Sequence, residues 1–204
     1  MLICITVHEF SHALTAYRLG DFSVKRAGRL TLNPIKHLDP IGTLLILTVH
    51  FGYGKPVMVN PNNLRNAKRD MAVISLAGPA SNVAITIIFL VLYGALYIPF
   101  QANQAGKYVL DMLYFTSLLS LRLAIFNMIP IPPMDGSKVF FAILDEPQYN
   151  TFLRYKRYGG LLLMAVMWTN ILGKPLSIAT QWSFSQLFPL AEWAYNLVQT
   201  IFYH

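Results

Sequence analysis

The chain has 204 residues, of which 55% are hydrophobic and only 12% charged, and its mean hydropathy is positive. That balance excludes an ordinary soluble domain and places the chain in a membrane. The net charge of +7 reads as attraction to anionic lipid headgroups and not as nucleic-acid binding, and a single cysteine, Cys4, excludes an internal disulfide framework.

In chain order, Met1 to Leu19 reads as an apolar helix that, at about 1.5 Å per residue, only just spans a hydrocarbon core of about 30 Å. No basic region precedes it and no small-residue cleavage site follows it, so it is expected to be retained and not cleaved as a signal peptide. Ile41 to Tyr53 is too short for a full crossing and is followed by Gly54, Lys55 and Pro56, which predicts a re-entrant or interfacial segment. Met71 to Ile98 is the clearest span, and Tyr108 to Ile129 is the next, interrupted by Arg122. Tyr158 to Leu172 is a shorter one. Phe184 to Tyr203 mixes Gln186, Pro189, Glu192, Asn196 and Gln199 into an apolar face and reads as an interfacial or weakly inserted helix, with a further span as the alternative. The expected fold is an all-α polytopic membrane protein, a helical bundle of about four to six membrane segments with a short re-entrant or extended element after the first helix. No repeat, low-complexity tract or long linker divides it, so residues 1–204 read as one integral membrane domain, with a motif-bearing core in 1–146 and C-terminal helices in 155–204.

Loops retained on the cytoplasmic side are enriched in Lys and Arg. Residues 20–70 carry Lys25, Arg26, Arg29, Lys36, Lys55, Arg65, Lys68 and Arg69; after two crossings the chain returns to the same side with Lys138, Arg154, Lys156 and Arg157. The opposite side offers Lys107 and Lys174. This asymmetry predicts that 20–70 and 130–157 are cytoplasmic.

Within the first helix, "VHEFSH" sets His8, Glu9 and His12 in an apolar surrounding. Histidines four apart share one helical face, so both imidazoles can reach a single metal ion. Glu9 lies on an adjacent part of that surface, where it can take a proton from a water activated by the metal. Ionisable groups at membrane depth are costly unless they are paired or bind an ion, so a functional site is the better reading than a chance match to the pattern. A catalytic zinc normally takes three protein ligands and leaves one position open. The chain holds nine carboxylates and five histidines. Asp21, Asp39, Asp70, Asp145 and Glu146 fall in hydrophilic loops and read as solvated surface. Asp111 is near the far end of a span, Glu192 sits in the amphipathic tail, and His50 reads as a packed or interfacial histidine. Asp135, in "NMIPIPPMDGSKV", stands out: Pro130, Pro132 and Pro133 interrupt the preceding helix, and Gly136 permits close backbone approach. The predicted topology brings Asp135 to the membrane side on which the first helix ends.

These residues resemble the site-2 protease family of intramembrane zinc metalloproteases, in its compact prokaryotic branch without appended peptide-binding or nucleotide-sensing domains. "HEFSH" looks like the zinc-binding helix, "AGPASN" (Ala77 to Asn82) like the glycine-proline motif, and "NMIPIPPMDG" like the asparagine, proline, aspartate, glycine motif. "GRLTLNPIKHLDPIG" and "FGYGKPVMVNP" are similar to the same branch, and the likeness runs over roughly Met1 to Val139, with the motifs in the family's order. The resemblance implies one zinc ion per chain held by His8, His12 and Asp135, with Glu9 as general base. It makes Asn82 a candidate for holding substrate or a developing oxyanion, although an interhelical hydrogen bond is a competing role. Asn127 and Gly136 become supporting residues. Lys55, Pro56, Val57, Met58 and Val59 become a candidate guide that pairs with an unwound substrate by strand addition. Only seven residues precede His8, where many members have a further helix, which implies a minimal branch or a shortened start.

The expected activity is hydrolysis of a peptide bond in or near a substrate's transmembrane helix, in a prokaryotic plasma membrane, with the site opening to the cytoplasm. The expected partners are a transmembrane protein substrate and membrane lipid, with no nucleic acid. The rival reading is a metal-ion transporter or channel using the same His and Asp cluster as an ion site. Glu9 discriminates, since a transporter could use it as one more ligand whereas hydrolysis needs it off the metal. The absence of paired inverted repeats weighs against transport.

Overall fold

A computed structural model describes residues 1–39, 55–144, 158–169 and 171–202. The expected re-entrant stretch Ile41 to Tyr53 lies outside the described residues, as do His50, Asp145, Glu146, Arg154, Lys156 and Arg157. Among the described residues the elements are helices, with no extended strand: α1 (Leu2–Arg18), α2 (Ser23–Arg26), α3 (Ala67–Phe100), α4 (Gln104–Asn127), α5 (Asp135–Ala142), α6 (Gly159–Trp168), α7 (Gly173–Leu187) and α8 (Pro189–Phe202). Single 3-10 turns occupy Pro34–His37 and Pro61–Asn63.

Two helices, α3 and α4, are long and apolar enough to cross a membrane, and a third crossing is available if α6 and Gly173–Phe202 form one broken span. At about 1.5 Å per residue, α3 exceeds the length that a hydrocarbon core of about 30 Å requires. Its first turn is built by Asn66, whose side chain accepts from the Arg69 N–H, while Asp70 reaches back to the Asn66 N–H, a reciprocal cap that satisfies two otherwise orphaned donors. Pro79 lies within α3 and has no N–H to donate to the carbonyl of Ser75 one turn earlier, so one bond of the helical ladder is missing there. The predicted weak helix Phe184 to Tyr203 is instead divided between α7 and α8, with Pro189 opening the second as its first residue. Helix α7 begins well before Phe184, because Ser, Thr and Gln between its apolar positions mask the hydropathy signal while leaving helix formation intact.

The described residues form two compact units, Met1–Ser81 with Asn127–Ala165, and Asn82–Phe126 with Val166–His204. In the first, Ala13, Ala16, Val24, Leu64 and Ile74 make a buried cluster, with Tyr17, Leu19, Leu30, Val57, Val59 and Met71 packed against it. The alanines of α1 let neighbouring backbone approach closely, as small residues do at helix contacts in membranes. Helix α1 stops in a Schellman motif: Gly20 takes φ +108°, its N–H donates to the Tyr17 carbonyl and the Asp21 N–H donates to that of Ala16.

In the second unit Leu90, Leu121, Phe184 and Ala191 form the core, joined by Tyr93, Tyr114 and Phe188. A Cβ on Gly94 would lie only 1.9 Å from the Ala191 carbonyl oxygen, so glycine is required where α3 meets α8. Helices α3 and α4 are clasped by hydroxyls: Thr86 Oγ1 donates to the Ser117 carbonyl at 3.1 Å and Ser120 Oγ to that of Asn82 at 2.9 Å, which satisfies these groups within the bundle.

Candidate metal centre

Three buried side chains of the first unit converge. His8 Nε2, His12 Nε2 and Asp135 Oδ2 form a triangle with edges of 3.0 Å between the two nitrogens, 3.0 Å from His12 to the carboxylate and 3.1 Å from His8 to it. They are a group able to hold a metal ion. The histidines come from one face of α1, and their rings meet edge to face. Asp135 is the first residue of α5. Gly136 makes its approach possible: a Cβ there would stand 2.1 Å from the Met128 carbonyl oxygen, just past the end of α4.

The donor set suits zinc in type and in spacing. Ligands about 2.0–2.1 Å from a tetrahedral ion stand about 3.3 Å apart, close to the observed edges. The tautomer of His12 is fixed as ligation requires. Its Nδ1–H donates to the Ile74 carbonyl at 2.7 Å, which leaves the Nε2 lone pair directed into the triangle. A third helix, α3, thus supplies a main-chain acceptor, Ile74, five residues before Pro79. It also supplies room. A Cβ on Gly78 would lie 2.5 Å from His12 Nε2 and 2.6 Å from His8 Cε1, so no larger residue fits beside the imidazoles as they stand.

Glu9 is absent from the triangle. Its Oε2 accepts from the Val57 N–H at 3.1 Å, which ties the carboxylate to the segment Lys55–Val59. In that segment Val57 and Val59 pack against the core while Lys55, Pro56 and Met58 are exposed. Its ends are also held: the Lys55 N–H donates to the His37 carbonyl at 2.8 Å, and the Asn60 N–H donates to Asp21 Oδ2 at 2.8 Å. Asp21 is fully buried, contrary to its reading as solvated surface. It accepts further from Ser23 Oγ and N and from Asn63 Nδ2. Burial alone would push this carboxyl up, but four donors hold it below the ordinary carboxylate range.

Asn82 falls in the second unit, fully buried on α3, with its own carbonyl accepting from Thr86 and Ser120. Asn127 is the last residue of α4. Three further contributors are Ile74, through its carbonyl, Gly78, the glycine of the "AGPASN" motif, through its missing side chain, and Lys138, whose Nζ lies 3.2 Å from Asp135 Oδ1. Lys138 also left a usable trace, since residues three apart on a helix are neighbours.

Buried imidazoles and a carboxylate meeting at one point form a candidate metal centre, in a chain with two helices apolar enough to cross a membrane. The chain belongs to peptidase family M50, the site-2 protease family. The model described as "Peptidase family M50" matches residues 92–169. The chain is 35% identical over 174 residues to "Putative zinc metalloprotease YwhC" of Bacillus subtilis, covering 84% of this chain and 79% of that protein. It is 30% identical over 190 residues to the Rip2 protein of Mycolicibacterium smegmatis, which carries the same description, covering 90% and 70%. A relative from Methanocaldococcus jannaschii is 41% identical over 132 residues, covering 65% and 62%. No solved structure matches the chain. The protein is a zinc metalloprotease.

Proposed function

We propose that the protein is an intramembrane endopeptidase that cleaves a peptide bond in or near a transmembrane helix of its substrate. His8, His12 and Asp135 hold the zinc ion, and Glu9 is the general base. The observation that carries this reading is the division of labour among the polar groups of α1: two imidazoles turn into the triangle with Asp135, while Glu9 stays out of it and has one carboxylate oxygen held by the Val57 N–H. Bound to these three ligands, zinc supplies Lewis acidity, polarising a scissile carbonyl and making a water acidic enough to lose a proton near neutral pH. Glu9 Oε2 is held by the Val57 N–H, so Oε1 is the oxygen that takes the proton and later passes it to the leaving amine. An ion-conducting site could instead use the Glu9 carboxylate as one more ligand, whereas hydrolysis needs it off the metal.

Lys55–Val59 serves as the substrate guide. A segment whose residues alternate between packed and exposed suits pairing with a substrate helix that has unwound and offers its backbone groups, and Asn82 is a candidate polar contact for that substrate. The chain lies in the plasma membrane with four to six membrane segments, and the basic residues of 20–70 hold that region and the mouth of the site in the cytoplasm. The decisive experiment is Glu9→Gln, tested with purified protein and single-span membrane proteins of the same genome. Zinc is expected to stay bound while cleavage falls by a factor of roughly 10² or more; loss of zinc in this variant would defeat the assignment.

A further inference from the structure

The Asp135 carboxylate uses its two oxygens for different purposes. Oδ2 faces the two Nε2 atoms at 3.0 and 3.1 Å. Oδ1 faces the Lys138 ammonium at 3.2 Å, one turn along α5. The Asp135 side chain is 9% exposed and that of Lys138 30%, so a partly exposed lysine reaches a largely buried carboxylate. An ionised carboxylate with both oxygens free can offer both to one divalent ion. Here one of them is engaged by a cation whose own charge repels the ion.

We propose that Lys138 is a positioning residue that restricts Asp135 to ligation through Oδ2 alone, keeping the zinc four-coordinate with one position open for substrate and water. This rests on the assignment of His8, His12 and Asp135 as the metal ligands. Two effects of Lys138 on the metal then oppose each other. The hydrogen bond to Oδ1 orients the ligand, as outer partners of ligating carboxylates do. The positive charge, a few ångströms from a divalent cation in a poorly screened site, weakens binding. Removal of Lys138 ends the repulsion and frees Oδ1 as an additional ligand, so both changes favour the ion. A residue that served only to hold Asp135 in place would behave in the opposite way, and its loss would cost metal affinity.

The test uses the full chain in detergent loaded with cobalt(II), whose visible absorption is intense in four-coordinate sites and weak in sites of higher coordination, and measures zinc affinity by chelator competition. Lys138→Ala removes the ammonium while favouring the helix; Lys138→Met keeps the stem, should the shorter side chain disturb packing. Either variant is expected to lose the cobalt band by roughly twofold or more as the coordination number rises, and to bind zinc about threefold or more tightly. Lys138→Arg should retain the wild-type spectrum. Unchanged cobalt absorption in Lys138→Ala and Lys138→Met, or weaker zinc binding in both, would overturn the proposal. If wild-type protein takes up neither metal at one ion per chain, the ligand assignment has failed and the role of Lys138 falls with it.

Discussion

Gly78 and His12 are in contact across two helices so closely that a single added carbon on the glycine would stand 2.5 Å from the ring nitrogen of the histidine. The contact yields a prediction in which local and site effects have opposite signs. Alanine is the better helix former by about 1 kcal/mol, so Gly78→Ala does not weaken α3 as a helix. It should nevertheless displace both imidazoles, lowering zinc affinity tenfold or more on the scale of disturbed outer-shell contacts. Chelator competition together with circular dichroism checks this. Wild-type zinc affinity in Gly78→Ala would mean that the imidazoles relax freely and the packing is unimportant.

Asp135→Asn preserves size and removes charge. If Asp135 is a zinc ligand, metal content and proteolysis should fall together, while detergent-solubilised protein keeps its helical circular dichroism. Glu9→Gln should separate the same two measurements, so the pair of variants distinguishes ligand from base. Full zinc occupancy in Asp135→Asn would remove Asp135 from the site.

Asp21 predicts a pH dependence of stability. Its folded pKa lies below the ordinary value, so the unfolded state binds the proton more readily. The stabilisation is therefore complete above the ordinary carboxylate range and is lost as pH falls through that range toward the lower folded value. Asp21→Asn should cost about 1–3 kcal/mol near neutral pH, the scale of hydrogen bonds to a charged group. Wild type and variant should converge in acid. Denaturant unfolding of each at several pH values measures the difference; a gap that does not narrow in acid would contradict the assignment.

Arg65 is exposed, just ahead of α3. Arg65→Cys should react with membrane-impermeant thiol reagents only from the cytoplasmic side, because the basic residues of 20–70 keep that region there. Buried Cys4 gives little background. Labelling of intact cells from outside would invert the proposed topology.

What the sequence disclosed and what it concealed divide along physical lines. Helices α3 and α4, the two long and apolar enough to cross a membrane, were legible because hydropathy sums over many residues and tolerates Arg122 or Pro79 within the window. His8 and His12 were legible because helical periodicity alone puts them on one face. Asp135, 123 positions beyond His12, could be singled out by elimination among few carboxylates and by the prolines before it, but its distance to the imidazoles depends on packing. Asp21 was misread because two of its partners, Asn60 and Asn63, are remote in sequence and two of its bonds come from main-chain N–H groups that no side-chain pattern encodes. Ile74 acts through a carbonyl, which leaves no chemical signature in a residue name, and Gly78 acts through empty space, which only the resemblance of its motif marks.

The Schellman turn at Gly20 sets a length constraint on everything before it. Asp21, fixed by that turn, also grips the Asn60 N–H and so anchors the segment that touches Glu9. Counting from this anchor, the spacing back to His12 determines which way the imidazoles look, and one residue inserted or deleted between them would turn both by about 100°. Relatives and engineered variants can therefore vary side chains along this stretch far more readily than they can vary its length.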